Sequence, residues 1–208
     1  MEVPRYHHGD LKNALIRAGI QVLAQGGMEH FSLRKVARAA GVSHSAPYAH
    51  FTDRQALIAA ISTAGFEMLL DRLTAAIAAC PDELERQVSA VIGAYLDFAQ
   101  TDPDLFRVTF STSLDVESDY PAFADVSRRS YDLLIRLVAG WQRAGIVPPG
   151  EPEIAAVALW GMLHGVIILY MDRQIPITVS GRYSLQEIVF RAFRQVLPAS
   201  SLSQPTQE

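Results

Sequence analysis

Side chains that donate hydrogen bonds to anionic oxygens crowd one short stretch of this 208-residue chain. Ser32, Arg34, Ser43, His44, Ser45, Tyr48, His50 and Arg54 all lie there, with Pro47 among them. Hydroxyls, imidazoles and guanidinium groups suit phosphate oxygens, and a helix N-terminus adds backbone N–H donors. Lys and Arg are absent from residues 43–51. Base readout would therefore rest on His44, Ser45 and methyl contacts from Ala46 or Pro47 to thymine. Positive charge would come from Arg34, Lys35, Arg38, Arg54 and an N-terminal arm around Arg5.

Catalytic chemistry finds few candidates. No G-x-S-x-G elbow, phosphate-binding loop or H-E-x-x-H is present. His7-His8 lacks nearby partners at metal-ligand spacing. His44 and His50 are six residues apart, about 600° around a helix, so they face different ways. The single cysteine, Cys80, excludes an internal disulfide and a cysteine zinc cage, has no adjacent base and fits a reducing cytoplasm. A small all-α enzyme using His164 and a distant Asp is the enzymatic alternative. The expectation is a non-enzyme without metal or cofactor.

Charge is unevenly spread. Residues 1–55 hold seven Lys/Arg against four Asp/Glu, a balance of +3, and five of the six His. The remainder holds 11 Arg against 18 acids, a balance of −7 within a net −4. A basic head on an acidic body suggests a DNA- or membrane-facing head. With 50% hydrophobic and 19% charged residues the chain is not disordered. Residues 1–10 are too polar for a signal peptide. Residues 154–171 hold one strongly polar member, His164. That reaches the lower limit for a membrane span. His164 and two Gly weaken that case, and a helix buried on nearly all sides, in a bundle or a dimer interface, is the expected reading.

The elements that must position these groups all read as helices, about nine of them. Helix one runs from about Asp10 to Gln25, with Leu11, Leu15, Ala18 and Val22 as its apolar stripe, and stops at Gly26-Gly27. Ser32 caps helix two, which Gly41 ends. Ser43 caps a third helix through Phe51, whose outer face would carry Ser43, His44, Ser45, Pro47, Tyr48 and His50. Thr52-Asp53-Arg54-Gln55 reads as a capping box for a long fourth helix, with Leu57, Ile61, Met68, Leu69 and Leu73 inward. Pro81 is placed in the first turn of helix five. Further helices follow near 103–110, 122–144, 153–173 and 184–197, with a polar loop at 111–121 and a Pro/Gly linker at 145–152. Domain boundaries are expected at 1–55 for the head and 56–198 for the body, with a flexible tail at 199–208.

Two short helices meeting at Gly41 fit a helix-turn-helix: Gly permits the tight turn, Ala37 and Ala40 permit close crossing, and Val42 and Phe51 anchor the second helix. The stretch Gly41-Val42-Ser43 through Tyr48, His50 and Phe51, then Arg54 and Leu57, resembles the TetR family of transcription regulators. Ala14, Ala18, Gly26-Gly27, Phe31-Ser32-Leu33 and Val36-Ala37 fit the same pattern, over about residues 9–58. The resemblance implies that Ser32 and Ser43 lie near phosphates. It also implies that Tyr48, His50 and Arg54 contact phosphate, and that His44 and Ser45 read bases. Pro47 departs from the pattern.

Trp160-Gly161-Met162-Leu163-His164-Gly165 and the Tyr6-His7-His8-Gly9-Asp10 start resemble the subgroup named for a Trp-His-Gly signature. The family implies a homodimer built from the last two long helices. Gly161 and Gly165, four apart, permit close approach there. Tyr95, Phe98, Phe106, Phe110, Tyr131, Trp141, Trp160 and His164 are either core or the lining of an apolar ligand pocket. His164 is either its polar group or a buried imidazole bonded to a carbonyl. No carboxylate lies on the inward stripes, so a neutral or weakly acidic hydrophobic effector is expected. The combined expectation is a cytoplasmic, ligand-responsive repressor released from a palindromic double-stranded DNA operator. The alternative is a constitutive regulator or activator without an effector.

Overall fold

The computed structural model describes residues 8–27, 30–111 and 119–197. Among these residues all regular structure is helical: α1 His8–Gly26, α2 Leu33–Ala39, α3 Arg54–Ala78, α4 Leu84–Thr101, α5 Pro103–Thr109, α6 Pro121–Arg143, α7 Pro152–Met171, α8 Ile177–Ser180 and α9 Leu185–Val196. A 3-10 turn, Ala46–Ala49, lies between α2 and α3. The chain divides into two compact units. The first takes the residues up to Met68 plus Asp102–Arg128, and the second takes Leu69–Thr101 and the residues from Arg129 on. The Arg5 arm, the Tyr6-His7 part of the N-terminal motif and the tail at 199–208 lie outside the described residues.

Local chemistry sets the helix ends. The Ser32 hydroxyl accepts from the Lys35 N–H at 3.3 Å and so caps α2. At the other end Val42 N–H bonds to the Ala37 carbonyl and Gly41 N–H to Arg38, the paired closure of a Schellman motif. That closure needs a left-handed residue, and Gly41 supplies it at φ +69. α9 opens with a complete capping box between Ser184 and Glu187. Its two hydrogen bonds from Ser184 hold the Glu187 carboxyl below its ordinary range.

α7 closes in the same way as α2, but with Arg173 in the left-handed position at φ 54. Gln174 N–H bonds to Leu169 and Arg173 N–H to Tyr170. A side chain there costs about 1–2 kcal/mol relative to glycine, offset in part by glycine's greater unfolded-state entropy. Arg173→Gly is therefore expected to stabilise the fold by roughly 0.5–1 kcal/mol, read as a raised thermal midpoint.

Several expected boundaries move. Thr52 does not box with Gln55; the helix starts at Arg54, and Asp53 Oδ1 accepts from Ala56 N–H at 2.8 Å as the cap. Pro81 lies in a turn ahead of α4, which starts at Leu84. Met68 is exposed, because its place on α3 faces away from the core that holds Leu69 and Leu73. The short α8 has no counterpart among the expected helices, since its four residues carry no periodic pattern.

In the first unit α1 packs on α2 and on α5. Leu15, Ala18, Val36, Ala37, Leu57, Ile61 and Phe106 are buried there. α3 and α5 touch at Gly65, where an added Cβ would collide with the Thr109 side chain. Beside it the buried Ser62 hydroxyl donates to the Val108 carbonyl at 3.0 Å. In the second unit α7 packs on α4 and on α9. Val88, Phe98, Val138, Ile167, Val189 and Phe193 form its interior.

α7 is 20 residues long, with a mean hydropathy of 2.0 over its most apolar stretch, long and apolar enough to cross a membrane by those measures. It is not buried on nearly all sides by its own chain. Ala156, Leu163 and Ile167 are buried, whereas Ile154 is 64% exposed, Val157 51% and Leu169 43%. A Cβ built on Gly161 or Gly165 would meet no atom within 4 Å.

Candidate nucleic-acid interface and body site

The segment after Gly41 is shorter and tighter than an α-helix. Ala46 N–H bonds to Ser43, Tyr48 to Ser45 and His50 to Pro47, all with i−3 spacing. Pro47 is the physical reason. It has no N–H for an i−4 bond, so the Ser43 carbonyl takes the Ala46 N–H instead. Ser43 consequently does not cap a helix; its hydroxyl lies 3.2 Å from that of Ser45.

This winding decides which side chains face outward. Ser43, His44 and Ser45 are exposed, and Tyr48 is 56% exposed. Arg34, Lys35, Arg38 and Arg54 are exposed as well, and Ser32 is half-buried at its cap. The Arg54 guanidinium lies 5.9 Å from the Phe31 ring centroid. Two expected outer residues differ. Pro47 is buried and acts as an anchor beneath the turn, because the 3-10 winding turns it inward. His50 is half-buried, with Nε2 buried and without a hydrogen-bond partner.

The eight aromatic and imidazole residues singled out by the sequence are divided between the two units. Phe106 and Phe110 belong to the first unit, where their rings meet edge-on at 5.1 Å and Phe110 meets Phe66 edge-on at 5.3 Å. The other six belong to the second unit. Phe98 is fully buried beneath the Arg72 guanidinium, which also bridges to Asp97 at 2.7 Å. Trp141 is buried with its indole nitrogen unpartnered.

Tyr95, Trp160 and His164 do meet. Trp160 Nε1–H donates to Tyr95 Oη at 3.0 Å, and Tyr95 Oη lies 2.9 Å from His164 Nδ1. The Tyr95 oxygen accepts from Trp160 and shares a hydrogen bond with His164 Nδ1, whose direction depends on the imidazole tautomer. His164 thus bonds the Tyr95 phenol. The Tyr131 ring lies tilted beside Trp160, centroids 6.4 Å apart, and its hydroxyl donates to the Glu153 carbonyl at 3.1 Å. Trp160 and His164 are four apart on α7, so one stripe carries both toward α4, while Gly161 and Gly165 form the neighbouring stripe. The sequence motif is therefore two adjacent faces of one helix.

Burial lowers the His164 imidazole below its ordinary value of 6.5 and pushes the Tyr95 phenol up. A histidine depressed in the folded state binds fewer protons than in the unfolded chain as pH falls below 6.5. Its contribution is complete above that pH and is lost as pH falls through the folded value. The thermal midpoint is expected to drop as pH falls below about 6.5, and that drop should shrink in His164→Asn.

Among the described residues no group of three or more His, Cys, Asp or Glu could hold a metal ion. A separate open groove of about 360 Å³ lies between the end of α6, the 147–151 linker, the start of α7 and the end of α9.

A basic helix-turn-helix face on an all-helical chain defines a DNA-binding protein of the helix-turn-helix class. Residues 15–61 match the family model described as "Bacterial regulatory proteins, tetR family", and residues 88–192 match "Tetracyclin repressor-like, C-terminal domain". The chain belongs to the TetR family of DNA-binding transcription regulators. Its fold is similar to that of a Rhodococcus sp. RHA1 protein of unknown function, at TM-score 0.76 and 29% identity over 93% of this chain and 97% of the other. It is also similar to a tetR-family regulatory protein from Rhodococcus RHA1, at TM-score 0.69 and 24% identity over 93% and 98%. The fatty acid degradation regulator FadR of Bacillus halodurans shares the fold at TM-score 0.72 and 17% identity, over 95% and 100%. No curated protein matches the sequence.

Proposed function

We propose that this chain is a ligand-responsive repressor that leaves a palindromic operator when a small hydrophobic effector binds. The observation that carries the reading is the outward array Ser43, His44, Ser45 and Tyr48, set on a turn closed by Gly41 and flanked by exposed Arg34 and Arg54. In this reading residues 1–55 are the DNA-binding head and 56–198 the effector and dimerisation body. Tyr48 and Arg54 hold phosphates, with Ser32, Ser43 and His50 near them, and His44 and Ser45 read bases. Pro47 supports the turn from within.

The exposed apolar side of α7, with Ile154, Val157 and Leu169, supports a homodimer of cytoplasmic protein over a membrane span. The open surface at Gly161 and Gly165 gives a second helix room to approach. A dimer would place two reading turns about one helical repeat apart, roughly 34 Å. The effector site is proposed among Tyr95, Phe98, Tyr131, Trp141, Trp160 and His164, with Tyr95 and His164 as its polar members. Asp97 is exposed and paired with Arg72, which favours a neutral or weakly acidic ligand over a cation. A clean release needs an affinity difference of about 5 kcal/mol between the two states.

The test is selection from a random-sequence duplex library by the purified protein at about 0.15 M salt. An enriched inverted repeat is expected. Recovery of unenriched sequence would overturn the reading.

A further inference from the structure

One row of residues four apart runs the length of α7 and one position past its cap: Glu153, Val157, Gly161, Gly165, Leu169 and Arg173. Residues at that spacing form a ridge, the feature that interdigitates in the commonest helix crossing. Gly165 is half-buried and the other five are exposed. The buried residues of α7, Ala156, Leu163 and Ile167, lie on the other side of the helix.

This row is complementary to its own reverse. An acid stands at one end and a base at the other. A large apolar residue follows inside each, and two glycines occupy the middle. When two copies are related by a two-fold axis with their α7 helices antiparallel, each residue meets the one equally far from the midpoint. Val157 then lies against Leu169 of the second copy, Gly161 against Gly165, and Glu153 against Arg173. The glycines leave the centre open, since a Cβ built on either meets no atom within 4 Å. Parallel helices would instead set Glu153 against Glu153 and Arg173 against Arg173, like charge on like. The backbone at Arg173 points the same way. Its φ of 54 is left-handed, where glycine is the least strained residue. A side chain kept there against that cost has a use for its guanidinium. We propose that Glu153 and Arg173 determine the partner of α7: they pair across the two-fold axis and commit the helix to a second copy of this chain in antiparallel register.

The inference deepens the homodimer reading above and rests on it. The apolar residues supply the affinity, and the charges supply direction and choice of partner. An exposed ion pair contributes little by itself. The two-fold axis doubles it, and reversing one member replaces two attractions by two repulsions.

The test is sedimentation equilibrium of the full-length protein at about 0.15 M salt. Glu153→Arg and Arg173→Glu are each expected to weaken dimerisation roughly ten- to hundred-fold. The double variant, Glu153→Arg with Arg173→Glu, restores the pair with its signs exchanged and should dimerise within about three-fold of the parent. It sets both charges against the α7 dipole, so its recovery cannot come from a more stable helix. Arg173→Gly, which relieves the backbone, should still weaken dimerisation roughly three- to ten-fold, separating the contact from folding. A second measurement fixes direction. Val157 and Leu169 of one chain lie about 18 Å apart along the helix, too far for a disulfide. Val157→Cys with Leu169→Cys should oxidise to a covalent dimer, and neither single variant should. Single reversals that dimerise like the parent overturn the proposal. So does a double variant no tighter than the single ones, or a covalent dimer formed by either single cysteine variant. A monomeric parent overturns the homodimer reading itself, and this inference falls with it.

Discussion

Tyr48→Ala is expected to weaken binding to every duplex, operator and random alike, by roughly ten- to hundred-fold, the equivalent of about 1.5–3 kcal/mol for a hydrogen bond to a charged group. Tyr48 is 56% exposed on the 3-10 turn, so its removal leaves no core cavity and the fold should be unchanged. A phenol that touches phosphate carries no sequence information, so the effect should be uniform. His44→Ala should behave differently. His44 is exposed on the same turn, and deleting an imidazole that reads a base edge changes which sequences are preferred. Anisotropy titrations against a selected duplex and its single-base variants separate the two patterns. Parent-like binding by both variants would remove these assignments of Tyr48 and His44.

The second large effect is expected at Tyr95. Its hydroxyl is the middle of the relay from Trp160 Nε1 to His164 Nδ1. Tyr95→Phe keeps the ring and the packing but removes one hydrogen bond from each of two polar groups at once. Each such loss in a buried setting costs about 1–3 kcal/mol. Trp160 and His164 are only half-buried, so water relieves part of it, and a total of about 2 kcal/mol is expected. For a chain of this size that lowers the thermal midpoint by roughly 4–8 °C. Trp160 should report the change, since its indole N–H loses a defined acceptor. Tyr131→Phe is the control. It loses a single exposed bond to the Glu153 carbonyl and should stay within about 0.5 kcal/mol of the parent. A Tyr95→Phe protein as stable as the parent would mean that the relay contributes nothing to holding α4 against α7.

Chemistry confined to a few neighbouring residues is legible in the sequence. The Ser32 cap, the Gly41 closure and the stop after Gly26 each depend on one helical turn. The TetR resemblance rests on the same local features. Residue type alone does not give the winding of 46–49. A proline near a helix start is tolerable by type, yet the missing N–H of Pro47 forces i−3 bonding and turns its ring into the core. The burial of His50 Nε2 follows from that winding and from nothing in the local pattern.

The body is legible as a set of helices but not as a site. Trp160 and His164 are visible as a pair on α7. Their partner Tyr95 lies far back in the chain, and no period links it to them. Phe106 and Phe110 look like the other aromatics in composition, but packing commits them to the first unit with Phe66. The ion pair of Arg72 with Asp97, and its stacking on Phe98, likewise depend on how α3 meets α4.

The central claim is that the exposed turn at residues 43–48 reads a particular DNA sequence. Its most direct test is fluorescence anisotropy of the purified protein on the DNA upstream of its own gene, against a scrambled duplex, at about 0.15 M salt. Binding to the upstream duplex at least a thousand-fold tighter than to the scrambled one is predicted, in the usual range of specific over non-specific recognition, about 10³–10⁷. Equal, weak binding to both duplexes would contradict sequence-specific recognition of that site, and no binding even at low salt would contradict the account of this face altogether.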